Sequence, residues 1–512
     1  MTGARKLFTT LLVLVIWTVG ASSSAAAPDG QMTWAVHISL APTWFDPAET
    51  PGIATPFMVL YALHDALVKP LPGQAMAPSL AESWNPSKDG LVYEFVLRQA
   101  AKFHNGDPVT ADDVKFSFER YRGAAARLLK EKVAGVDVVD PHRVRFRLKE
   151  PWLDFMTYYG SLTTGAGWIV PKKYTQQVGD EGFKKLPMGA GPYRFVSFTP
   201  GVELVLEANE HYWRKVPSVK RLVFKVTPDE STRLAMLKRG EADVIYLLQG
   251  ELAEEVRRTP ALTLRPTPIV STHWLVFADQ WDPKSPWADR RVRLAANHAM
   301  NRQAVNEALT LGFSRITGSI IPASFDSYWQ PPAYLYDPAK AKQLLAEAGY
   351  PRGFDAGDLW CDAATATMSE ALIGYLQAVG IRVKLRPLER AAFFKAYQEK
   401  KLKNIIYSIS GAFGNTATRL ETFVAAGGPY VYGGYPDIDG LFREQATELD
   451  RKRREAMLHR IQQLIHEKAM YAPVWELGFI HAQGARVAEA GLGLVTGYAF
   501  SAPYEEVKLK GK

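Results

Sequence analysis

No stretch rich in glycine, proline or serine interrupts the 512 residues of this chain. A single hydrophobic core stops growing beyond roughly 250–300 residues, so a chain of this length has to build more than one. Without linkers, two or three domains cannot be strung in series. The chain is expected to cross between them more than once. Hydrophobic residues make up 47% of the sequence, enough to fill such cores.

Both secondary-structure periods recur along the chain. Tyr93, Phe95 and Leu97 alternate with Glu94 and Arg98; Val144, Phe146 and Leu148 alternate with Arg143, Arg145, Arg147 and Lys149. Leu204 and Leu206 alternate with Glu203 and Glu207. Each is read as a strand with one buried and one wet face. Thr110 with Asp113 makes a capping-box start for a helix carrying Val114, Phe118 and Tyr121. Asp337-Pro338 opens another helix, closed by Gly349, and Met457, Ile461, Leu464 and Ile465 line a third. No repeat or low-complexity tract accompanies them, so an α/β or α+β fold of several lobes is expected.

Arg5 and Lys6, an apolar run through Val19 and the small residues Ala21–Ala27 have the order of a cleavable secretory signal. The run is short of the ~20 residues that span a bilayer. Cys361 is the one cysteine, so no intrachain disulfide can form. The formal charge of +8 is dispersed; its densest block, Arg451–Arg454, is placed on one helix. A nucleic-acid surface would need clustered charge with stacking aromatics, so none is expected.

Reactive constellations are missing. The sequence has no G-x-S-x-G elbow, S-x-x-K, phosphate-cradling loop or G-x-G-x-x-G. His466-Glu467 begins like a zinc-protease motif, but Met470 stands where the second histidine belongs. His64, His104 and His298 are read as structural. No catalytic residue, metal ligand or cofactor is assigned.

Several segments stand in a recognisable order. Ala77-Pro78-Ser79-Leu80-Ala81-Glu82-Ser83-Trp84 precedes Asp89 to Arg98, then Lys102-Phe103-His104-Asn105-Gly106-Asp107-Pro108-Val109-Thr110-Ala111-Asp112-Asp113-Val114. Gly191-Pro192-Tyr193, Tyr212-Trp213, Gly240-Glu241-Ala242-Asp243 and Ala346-Glu347-Ala348-Gly349-Tyr350 follow. This series resembles the family 5 extracytoplasmic solute-binding proteins, receptors of ABC importers for peptides, nickel chelates and opines. The resemblance implies an α/β, two-lobed periplasmic-binding-protein fold, class II-like, with an extra subdomain on the first lobe. It implies a signal peptide at 1–27, a first lobe at 28–68, 184–270 and 487–512, an inserted subdomain at 69–183, and a second lobe at 271–486. It also implies a monomeric, non-enzymatic periplasmic receptor. Such a receptor closes on a small-molecule or short-peptide solute and passes it to the transmembrane subunits of an ABC permease. A periplasmic enzyme or chaperone-like protein on the same scaffold is the alternative.

In the family a second-lobe loop commonly carries a Trp-x-x-Asp-Tyr-Pro-like stretch whose Asp pairs with a peptide's α-amino group. Here the strand is placed at Asn404–Ile409, and Ser410 stands at the Trp and Phe413 at the Asp. Without that carboxylate an ammonium would be buried with no counter-charge. Ala278 likewise replaces a polar residue that relatives often have. The ligand-facing candidates are the rings of Phe45, Tyr246, Trp274, Trp360, Tyr407 and Phe413, together with Ser410, Gly411, Ala412, Asn415 and Arg419. The rings offer stacking at low entropic cost, with core packing as their alternative role. Arg419 offers a fork for a carboxylate or phosphate, with a surface role as its alternative.

Overall fold

A computed structural model describes residues 27–49, 56–123, 125–160, 164–410 and 414–511. The leader preceding Ala27, and Gly411, Ala412 and Phe413, lie outside them.

One 11-stranded sheet runs through the molecule. In one half, Asp29–Val36 pairs in parallel with Val219–Val226 and with Val244–Leu248, and Glu203–Ala208 and Tyr193–Thr199 extend the edge. In the other, Phe354–Asp362 lies parallel to both Ile381–Leu388 and Ile405–Ser410. Two long antiparallel strands, Thr263–Phe277 and Tyr471–Gln483, belong to both halves. At ~3.4 Å per residue the first of these is roughly 50 Å long, enough to reach from one lobe into the other. Their pairing slips between Pro268 and Thr272, and again between His273 and Trp274.

Nearly every residue of Tyr471–Gln483 is buried, because elements cover both sheet faces there. One second-lobe face packs Leu275, Phe277, Tyr407 and Trp475 into one core, and the other packs Trp274, Val276 and Ile406 into a second. The first-lobe core holds Trp34, Phe45, Tyr61, Tyr193 and Tyr246. It also takes in Tyr498, Phe500 and Tyr504 from the returning C-terminal segment. Trp34 Nε1 donates to Ser501 Oγ across 467 positions of sequence, at 2.9 Å.

A separate four-stranded antiparallel sheet forms the insert, in the order Ala81–Pro86, Val92–Leu97, Arg143–Leu148, Val133–Asp140. Val92–Leu97 and Arg143–Leu148 alternate in burial as their sequences alternate in polarity. Its helix Ala111–Arg120 starts at the Thr110–Asp113 capping box. Arg120 then ties the insert to the first lobe with a fork onto both oxygens of Asp46, at 2.7 and 2.5 Å. In the second lobe, the Asp337 carboxylate accepts Lys340 N–H at 2.8 Å and so caps helix Pro338–Glu347. Helix Arg451–Glu467 is centred on Leu458, Ile461 and Leu464, one residue along from the Met457 the pattern suggested.

Candidate functional site

In open α/β sheets, ligand crevices lie outside the carboxyl ends of the parallel strands. In the second lobe those ends are Asp362, Leu388 and Ser410. The strand that includes Ser410 is Ile405–Ser410, one residue later than the pattern placed it, with Ser410 paired opposite Thr272 of the crossing strand. Asn415 then starts helix Thr416–Phe423. Its Oδ1 accepts Thr418 N–H at 2.9 Å, and its own N–H reaches Thr418 Oγ1 at 3.0 Å. Ser410 and Asn415 therefore flank the loop that was expected to face solute. Gly411, Ala412 and Phe413 of that loop are outside the described residues.

The expected aromatic wall does not form as one surface. Phe45 is fully buried in the first-lobe core, with its ring 5.0 Å from Phe198 and 5.9 Å from Phe195. Tyr246 lies in the same core. Its hydroxyl accepts Ser501 N–H at 3.1 Å, and burial pushes its pKa up to about 12. Trp274 packs edge-on against Phe423, at 5.0 Å, on the second-lobe face where Trp360 also lies. Tyr407 projects from the opposite face, with its hydroxyl 2.8 Å from His273 Nδ1. The five described rings are thus divided among three cores, with Trp360 only partly buried. Tyr246, Trp274, Trp360 and Tyr407 stand on strands and Phe45 ends the short helix Pro42–Phe45, and aromatic type alone does not tell a core ring from a cleft ring.

Arg419 is neither on the surface nor held out as a fork. It is 2% exposed, with Phe325 and Phe423 on its flanks at 5.4 and 5.7 Å. It donates to Thr272 Oγ1 at 2.7 Å and to Ile320 O at 3.1 Å. Loss of water pulls its pKa down to about 9, against the opposing pull of Glu476. It braces the helix after the loop onto the crossing strand.

Of the residues that meet across the gap, the sequence reading named Asn415 and missed its partners. Asp154, in the insert, accepts from Asn415 Nδ2 at 2.5 Å and from Arg454 Nη2 at 3.2 and 3.0 Å. Asn415 Nδ2 is also 3.1 Å from Thr157 Oγ1. Beside this junction is a cavity of about 360 Å³. Lys132, Trp152 and Tyr158 line it from the insert, and Glu421, Phe442 and Gln445 from the second lobe. Trp152 and Tyr158 stack at 5.3 Å. Partial loss of water, with the Asp154 charge nearby, raises the pKa of Glu421 above its ordinary value. No local pattern could have paired Asp154 with partners 261 and 300 positions away. Arg454 was legible only as part of a basic block.

The sequence matches the family model for bacterial extracellular solute-binding proteins, family 5, over residues 75–430. It is 28% identical to di/tripeptide-binding protein 2 of Pseudomonas aeruginosa, over 88% of this chain and 91% of that protein. It is also 28% identical to heme-binding protein A of Haemophilus influenzae, over 78% of each. Among solved structures, HbpA2 from Haemophilus parasuis superposes with a TM-score of 0.80 at 25% identity, over 94% of this chain and 100% of that one.

Proposed function

This chain belongs to family 5 of the bacterial extracellular solute-binding proteins, and from that premise we propose that it is the periplasmic receptor of an ABC importer. It captures a peptide-like, opine-like or other small amphipathic solute by closing two lobes over it. The observation that carries this reading is the cavity of about 360 Å³ walled partly by the insert and partly by the second lobe, at the junction bridged through Asp154. A receptor needs such a shared wall, because only contacts made to both lobes favour the closed form over the open one. Capture needs no chemistry, and the Pseudomonas and Haemophilus relatives are named as binding proteins.

In this reading the leader is cut near Ala26 or Ala27, and the mature chain works as a monomer that docks on permease transmembrane subunits. The first lobe comprises 28–68, 184–270 and 487–512, the insert 69–183 and the second lobe 271–486. The solute meets the second lobe around the 410–415 loop. The di/tripeptide-binding and heme-binding relatives set the range of solute sizes to try first.

Denaturing the purified mature protein and identifying the released molecule by mass spectrometry tests the proposal. The expected result is a small solute that rebinds the refolded protein at one site, unaltered, and reduces its radius of gyration. Conversion of that solute into product, or an unchanged radius at saturation, would overturn it.

A further inference from the structure

Among the described residues, the hydrogen bonds between insert and second lobe number four, and all end on Asp154 or its neighbour Thr157. The Asp154 carboxylate takes all its described side-chain hydrogen bonds from the opposite side of the gap. It is 16% exposed here and Arg454 15%. An opening motion would therefore exchange its protein partners for water.

The donors, by contrast, are held in place by the second lobe itself. Arg454 Nε donates to Gln445 Oε1 at 3.0 Å, and Gln445 is fixed in turn by a 3.1 Å bond to Phe442 O. The Asn415 amide is oriented by its capping bond to Thr418, which leaves Nδ2 free to reach across. Charge-assisted hydrogen bonds from preset donors lose little side-chain freedom on forming, which separates this contact from an ordinary exposed ion pair. The insert is tied to the first lobe through Arg120 and Asp46, so pulling on Asp154 pulls on that whole lobe.

We propose that Asp154, Asn415 and Arg454 form a clasp that favours closure whatever solute is bound, and when none is. They are positioning residues: Asp154 borders the cavity, but the clasp acts by joining the two lobes rather than by touching the solute. Part of the affinity for every solute then comes from the protein's own two halves, and discrimination between solutes is left to the groups deeper in the cleft.

The test uses solute-free mature protein and small-angle scattering. Asn415→Asp keeps the helix cap, since Asp accepts the Thr418 N–H as well as Asn does, but sets a like charge against Asp154. Arg454→Asp removes the Nη2 contact to Asp154. Both are expected to melt within a few degrees of the wild type and to show a larger radius of gyration. Asp154→Arg combined with Arg454→Asp should recover compactness relative to Arg454→Asp alone. Raising salt to about 1 M, where the screening length is about 3 Å, should expand the wild type and not Arg454→Asp. Equal radii for the wild type and both single variants would overturn the clasp, as would a charge-swapped pair no more compact than Arg454→Asp. Neither result would touch the receptor assignment, because no solute enters the measurement.

Discussion

Five imidazoles are held uncharged within this fold. Burial lowers His37 and His64 to about 4, and His104, His273 and His481 to about 3. The bonds around His104 show why protonation is refused. Its Nε2 reaches Gly191 O at 3.1 Å while Nδ1 accepts Gly189 N–H at 3.3 Å, so a second ring proton would point at a donor. Between pH 6.5 and about 4 the unfolded chain takes up protons that the folded chain declines, so stability falls as pH falls through that window. The loss is up to about 2 kcal/mol per buried ring at pH 5. Melting curves at pH 7 and 5 should show a shallower drop for His104→Gln than for the wild type. Phe45→Ala is expected to cost about 3–5 kcal/mol, read as a lower melting temperature, while the molecules that remain folded bind solute as before. A loss of affinity with unchanged melting would return Phe45 to the cleft. At this scale the sequence was legible for histidine, where scattered rings without ligand spacing read as structural. For the aromatics it was not, since the same alternation buries a ring in any of three cores.

Among the elements, those with one wet face were legible. The alternation in Val92–Leu97 and Arg143–Leu148 marked both strands, and the Thr110–Asp113 pair marked a helix start within a residue. The crossing strand Tyr471–Gln483 offers no such alternation, because burial on both faces favours a continuous apolar run. Packing also leaves little room along it. A Cβ built on Gly478 would sit 2.3 Å from Phe313 O, so Gly478→Ala has to part the crossing strand from the 313–314 segment. The expected destabilisation is about 1–3 kcal/mol, with the radius of the solute-free protein shifted as well. A variant that melts and scatters like the wild type would show that the two segments part freely. Asn415→Ala should cost about 1 kcal/mol through the lost cap and also loosen the lobes, whereas Asn415→Asp should do only the second.

For the molecule as a whole, the large sheet joins strands from distant stretches of the chain, and the missing linker argued against domains strung in series. It could not place the junction between them: Asp154, Asn415 and Arg454 come from three distant stretches that only the folded chain brings together. The returning C-terminal segment is part of that economy of crossings. Ending the chain at 486 would strip Tyr498, Phe500 and Tyr504 from the first-lobe core, and the product is expected to aggregate on expression. A soluble, cooperatively melting truncation would contradict this. The two crossing strands have a mechanical consequence of their own. Hydrogen-bonded side by side along most of their length, they make a ribbon like a leaf spring, compliant out of its plane and stiff within it. Lobe motion on such a spring is expected to follow one soft coordinate, with sliding and yawing of the lobes suppressed. Dyes on cysteines introduced at the exposed Met76 and Leu335, with buried Cys361 left unlabelled, should report a single distance that orders every liganded and mutant state along one curve.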